Sequence, residues 1–307
     1  MKIFFQKLIV MVLAFAAFTV LAAEPEDFLP ADAPIIFRVN CNQVFNRLKD
    51  ALQNADHPVS VELTSQFNID VCDFFSGQAW GAVYPKKPKS TQIFIKTKLS
   101  EKSFAQALAA ASKNGQAPAI QIVKHKNRNI YVVYSNSAEK FAFCYLTDDV
   151  IMVCSYGQHD IAAPAGKRNE LISKINKDST LALCIDMTGT PGNKKFNVQS
   201  VNMLVDLQGA AGSEEIALHI AAQCQDRKTA SQLAGMYQFA LPMLVSTLLI
   251  NDPELARRQA AAIKVDCRDN QMSVDYRLDM ESLKNIIKYF SDPNNSKLIF
   301  QTLQQIK

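Results

Sequence analysis

A chain of 307 residues with 48% apolar and 20% charged residues, and only 10 Gly and 12 Pro, has the make-up of a packed globular protein; that excludes a disordered, collagen-like or fibrous chain. The formal charge is +4 and falls to +2 once Lys2 and Lys7 are removed, so the molecule is no polycation and its global charge implies no nucleic-acid partner.

The N-terminus has the three parts of a secretory signal peptide. Lys2 and Lys7 supply the positive region, residues 8–21 are apolar apart from Thr19, and Ala22 and Ala23 are small. The apolar stretch is shorter than the about 20 residues a bilayer span requires, and Glu24, Glu26 and Asp27 follow directly. Cleavage is therefore expected after Ala22, giving a leader over 1–22 and a mature chain that works in the periplasm or cell envelope. No Cys stands at the cut, so no lipid anchor is expected there, and no transmembrane segment is expected in the mature chain.

Residues 35–40 read as a strand, and Val44, Leu48 and Leu52 give the next segment a helical face. A short helix is expected near 61–67. Strands follow at 79–84 and 92–99, then a helix capped by Ser100 and running to about 111. Hairpins are expected at 120–123 with 130–134, and at 141–146 with 150–154. In the second half a helix is expected at 169–175, a strand at 181–187, and a hairpin at 198–207 with 215–222. Asp226 caps a long helix to about 250. A hairpin at 262–267 with 272–278 turns at Arg268-Asp269-Asn270, and helices at 280–289 and 297–304 close the chain.

The two halves share a pattern. A shift of 125 residues lays Ile93 on Leu218, Ile95 on Ile220 and Leu108 on Leu233; a shift of 142 lays Ile130 on Met272 and Tyr134 on Tyr276. This reads as a diverged duplication with halves at 23–163 and 164–307. Strands joined by short turns, with helices between pairs, predict an α+β fold: in each half an antiparallel sheet of hairpins with helices packed on one face.

Seven Cys, at 41, 72, 144, 154, 184, 224 and 267, form no C-x-x-C and no metal spacing with a His. Cys144 and Cys154 flank the turn Thr147-Asp148-Asp149 and are the candidate disulfide; the alternative is that they are small buried apolar side chains. Of the four His, only His159 has a Cys near it in sequence, and Cys154 closes the apolar run 150–153, which predicts a buried strand position and not a thiolate nucleophile. His219, between Leu218 and Ile220, faces away from both. No nucleophile elbow, P-loop, zincin, dinucleotide or EF-hand motif is present. Ser137–Lys140 fits S-x-x-K without its companion motifs. No catalytic residue, metal ligand or cofactor is assigned.

Two features stand out. Residues 86–128 hold ten basic side chains and one acid, Glu101. Lys86, Lys87, Lys89, Lys96, Lys98, Lys124, Lys126 and Arg128 form a candidate anion-binding patch if the strands carrying them are neighbours. Its partners would be anionic envelope lipids or glycans; the alternative is a solvated face kept charged for solubility. The second feature is the helix after Asp226, apolar from Phe239 to Ile250 except Ser246 and Thr247, with Pro242 inside. Pro242 should kink or end it. The helix is read as a buried central one, with a dimer face or one wall of an apolar ligand cavity as alternatives.

The entry Leu29-Pro30-Ala31-Asp32-Ala33-Pro34 before the strand 35–40 resembles the start of uncharacterised exported bacterial proteins with two α+β repeats. In those a leader is followed by a Pro-Asp-type entry, a strand, a helix and hairpins. The resemblance covers the layout of most of the mature chain. It implies compartment and architecture; the family has no assigned activity. The expectation is an exported non-catalytic binding or scaffolding protein of the envelope, partnered by anionic material, by itself or by another envelope protein. The alternatives are a carrier of an apolar ligand and a hydrolase of unfamiliar type.

Overall fold

The computed structural model describes residues 23–44, 76–84, 91–113, 120–125, 128–134, 140–155, 167–188, 193, 197–208, 215–249, 252–279 and 282. The leader, the short helix expected near 61–67 and the closing helices (Ser282 apart) lie outside them. The described residues form twelve strands with antiparallel pairing and few helices, an α+β protein. The chain divides into two compact units.

The first unit holds β3 (Thr91–Lys96), α1 (Glu101–Lys113), β4 (Ile120–His125), β5 (Arg128–Tyr134), β6 (Lys140–Tyr145) and β7 (Val150–Ser155), with strand order β3-β7-β6-β5-β4. A 3₁₀ turn, Pro25–Phe28, precedes them. Ser100 starts α1 as expected: its Oγ accepts from Ser103 N at 3.2 Å. Helix α1 lowers Phe104 onto Tyr131, Phe143 and Tyr145. Phe104 stands edge-on to the Tyr131 and Phe143 rings at 5.2 Å, and those two rings stack at 5.0 Å. The opposite face of the same strands is also closed: Phe94, Ile130, Val132, Ala142, Met152 and Cys154 are buried. Burial on both faces explains why 150–154 is a continuous apolar run and not an alternating one.

The second unit begins with β1 (Ile35–Asn40), which pairs with β8 (Leu181–Asp186) and so leaves the half its sequence position suggested. The residues of β2 (Gln78–Val83) divide between the units after Gly81. With β9 (Val198–Gln208), β10 (Glu215–Cys224), β11 (Ile263–Arg268) and β12 (Gln271–Asp279) the order is β11-β12-β10-β9-β8-β1. The segment expected to be a helix at 169–175 is a 3₁₀ turn, Glu170–Lys174. Helix α2 (Arg227–Leu248) opens on Asp226, whose Oδ1 accepts from Thr229 N at 2.8 Å. Pro242 does not end it: six further residues are helical. That last stretch is pinned by α3 (Pro253–Ala261), whose Leu255 and Ala256 pack with Leu249 and Val245. Helix α3 was missed in the sequence although its start is written there: Asp252 caps it and Pro253 takes the first helical position.

Both units run hairpin, helix, hairpin: β2–β3, α1, β4–β5, and β9–β10, α2, β11–β12. Their pairing differs. In the second unit β10 bonds directly to β12, whereas in the first the β6–β7 hairpin stands between β3 and β5.

Candidate functional site

Among the described residues, Lys96 lies on β3, Lys124 on β4 and Arg128 on β5; β3 and β4 are separated by β7, β6 and β5, about 19 Å at the usual strand spacing. Lys96 is neutralised by Asp149 at 2.8 Å and Glu24 at 3.2 Å. Burial works against charge on both Lys96 and Asp149, yet their hydrogen bonds prevail: the lysine is held above its ordinary value and the carboxyl below its own. Lys98 is exposed but lies past the end of β3, in a bend before α1, so it does not share a strand face with Lys96. Lys124 is exposed on β4. Arg128 is partly buried and donates to the Tyr145 carbonyl at 3.2 Å. Lys86, Lys87, Lys89 and Lys126 lie outside the described residues. Lys98 and Lys124 are thus the members of the set that are described and exposed.

Cys144 and Cys154 do not face each other. The β6–β7 register sets Cys144 opposite Met152 and Cys154 opposite Ala142. The two sulfurs are therefore on one face but diagonal, where cross-strand neighbours lie about 7–8 Å apart and the Cβ atoms miss the about 3.8 Å a disulfide needs. Both are buried free thiols. Burial pushes Cys144 up to about 11, and burial with the neighbouring Cys144 pushes Cys154 up to about 12. A thiol that stays protonated is no nucleophile; His159 lies outside the described residues. Among the described residues no group of three His, Cys, Asp or Glu is placed to hold a metal.

His219 does turn away from Leu218 and Ile220, and the register shows what it meets: Asp275 on β12, with Nδ1 and Oδ1 2.7 Å apart. Both side chains are solvated, and Asp206 and Arg277 lie on the same polar sheet face through the register. No sequence spacing links positions 219 and 275; only the pairing of β10 with β12 does.

The feature that departs furthest from an ordinary surface is α2. Its inner side joins a core of Val198, Ala222, Cys224, Met272 and Val274 through Ala230, Leu233, Tyr237 and Leu241. Its outer side is apolar too. Phe239 is 77% exposed, Met243 69% and Met236 44%, with Leu244 at the margin. These positions are three and four residues apart, which places Met236, Phe239 and Met243 on one face. The helix is therefore not the buried central one expected: one face is core, and the opposite face presents a stripe of large apolar side chains to solvent. Sequence reasoning registered the composition of 239–250 but not its exposure, because a helix apolar on most sides ordinarily lies inside.

No helix among the described residues is long and apolar enough to cross a membrane. No protein-family model matches the chain, and no curated protein matches it. Among solved structures it is similar to TP0453 of Treponema, a bacterial envelope protein. Crystal form III of that protein gives a TM-score of 0.50 at 11% identity, covering 87% of this chain and 98% of that one. Crystal form I gives 0.48 at 10% identity, covering 87% and 97%. At 11% identity the likeness to crystal form III is one of fold, an α+β architecture.

Proposed function

We propose that this is an exported, non-catalytic binding or scaffolding protein of the bacterial cell envelope that acts through its surface. The observation that carries the reading is the exposed stripe Met236, Phe239 and Met243 on α2. Contiguous exposed apolar side chains on a folded helix mark a contact surface far more often than isolated ones do. The predicted leader supports the compartment. The buried, protonated thiols of Cys144 and Cys154 and the separation of Lys96 from Lys124 support giving this stripe the first test.

Cell fractionation of the full chain, with its leader and a C-terminal tag, tests the reading. The expected result is a processed protein outside the cytoplasm that stays with the envelope through a high-salt wash, with Phe239→Glu lowering the retained fraction. An uncut protein confined to the cytoplasm would sink the reading. Release of the wild type by salt alone would return the contact to the basic side chains.

A second reading, a carrier of an apolar ligand, is favoured by the sheet face of the second unit. The register lays Phe37, Leu183, Met203 and Ile220 in one transverse row and Val39, Leu181, Val205 and Leu218 in the next. All are only half-buried. Native mass spectrometry of the protein from its own envelope should then give extra mass that is lost on denaturation; a bare chain counts against it.

A further inference from the structure

We infer that Met236 and Met243 on α2 are a modification site: a two-electron oxidant such as hydrogen peroxide converts both thioethers to sulfoxides and switches the stripe off while the fold stays intact. The inference rests on reading the stripe as a working surface and adds how that surface is regulated.

The described sulfur atoms divide by access. Met152 and Met272 are buried, and Met187 and Met203 are half-buried. Among the described methionines, Met236 and Met243 are the exposed ones, and both stand on the stripe. Cys41, Cys144, Cys154, Cys184 and Cys224 are buried. Burial pushes the thiols of Cys144 and Cys184 up to about 11 and that of Cys154 up to about 12. Peroxide oxidises a cysteine through its thiolate, so these thiols are closed to it, and the half-buried Cys267 is the described thiol nearest to solvent. An oxidant in solution therefore meets the two thioethers of α2 before any methionine of the core.

A lone pair on the thioether sulfur attacks one peroxide oxygen. The S–O bond forms as the O–O bond breaks, and the departing hydroxide takes the proton of the transferred oxygen and leaves as water. Sulfur loses two electrons and the peroxide gains them. A sulfoxide reductase returns the two electrons from a pair of thiols and releases the oxygen as water. Position gives the change its effect. Met236 stands three residues before Phe239 and Met243 four after it, so the two flank, on one helix face, a ring that is 77% exposed. Each oxidation sets a strong acceptor where an apolar, polarisable atom stood. A contact that covers Phe239 must then take both oxygens out of water, which is costly unless each finds a donor. From Thr229 to Ile250 the chain has no Lys, Arg or His to supply one. On the core side of α2, Ala230, Leu233, Tyr237 and Leu241 carry no sulfur, so the packing of the helix is left as it was.

Treatment of the purified, processed protein with hydrogen peroxide, followed by peptide mass mapping, is the first test. Met236 and Met243 should each gain one oxygen ahead of Met187 and Met203, and about tenfold or more faster than Met152 and Met272, which react only as the core opens. The oxidised protein should keep its circular dichroism and its cooperative melt, and should leave a phenyl hydrophobic-interaction column earlier than the untreated one. Rebinding to salt-washed envelope is the second test. Oxidation of the wild type should weaken it by about tenfold, and a sulfoxide reductase with a dithiol should restore it. Met236→Leu with Met243→Leu has its own baseline, which peroxide should no longer change; that result separates the two thioethers from Cys267. Oxidation of Met187 or Met203 at the same rate overturns the inference. So does an oxidised protein that unfolds, one that elutes and rebinds as before, or a peroxide effect that persists in the double Leu variant. An untreated protein that does not rebind, or rebinding indifferent to Phe239→Glu, strikes the reading of the stripe instead; the order of oxidation and the column shift then decide by themselves whether Met236 and Met243 are the modification site.

Discussion

At the scale of the residue, two groups in the first unit lead to measurable effects on stability. Gly77 lies against Lys96: a methyl group there would come 2.6 Å from the lysine Cβ and 2.9 Å from its Cγ. Those are inner atoms of the side chain that reaches Glu24 and Asp149. Gly77→Ala is therefore expected to cost about 1–3 kcal/mol, read from chemical denaturation, with the loss falling on the Lys96 pairs. Tyr131 is the second. Burial, and then the charge of Glu101, push its hydroxyl up to about 12 from an ordinary 10. The folded state thus holds that proton more tightly than the unfolded chain. The contribution is complete below pH 10 and drains away as pH rises towards 12. Alkaline denaturation should steepen in that window, and Tyr131→Phe should flatten it even though the bond to Glu101 at 3.1 Å is lost. The thiols follow the same logic. Cys267, half-buried, should react with a thiol reagent under native conditions well before the buried Cys144 and Cys154. The candidate disulfide was the reading that sequence served least well. A turn between two Cys fixes that they approach, but only the register fixes whether they meet, and here it sets them on a diagonal.

At the scale of the element, most strands and both long helices were legible, because their signals are local. Alternation placed β11, whose side chains alternate half-buried and exposed along its whole length, and Ser100 and Asp226 marked where α1 and α2 begin. Removing the Asp226 cap by Asp226→Ala should lower the melting temperature, because Thr229 N loses its acceptor. The Pro242 expectation failed for a reason outside the helix. Proline removes one backbone donor and crowds the preceding turn, but Val245 and Leu249 after it are fixed by packing on α3. Packing of that kind outweighs a local penalty of about 3 kcal/mol. Pro242→Ala should accordingly raise the unfolding free energy, by about 1–3 kcal/mol, and a variant that melts lower would show that the proline ring is itself needed for packing. Helix α3 could have been found from Asp252 and Pro253; it was overlooked because its nine residues carry only Leu255 as a large apolar anchor.

At the scale of the whole molecule, what the sequence by itself determined was the class: an α+β chain of antiparallel hairpins with two capped helices. Each of those features depends on neighbours within a few residues, where periodicity, turn chemistry and capping act directly. What only the tertiary structure decided was every question of who meets whom. The strand β1 is close in sequence to the first unit, yet it pairs with β8 across some 140 positions and joins the second. The described members of the basic segment 86–128 look continuous along the chain, yet three strands lie between β3, with Lys96, and β4, with Lys124, and two carboxylates neutralise Lys96. His219 finds Asp275, and α2 turns a face of Phe and Met outwards, through pairings that no spacing encodes. Composition records which side chains are present; whether they are buried, paired or exposed depends on contacts between distant segments, and only those contacts leave Met236, Phe239 and Met243 of α2 facing solvent.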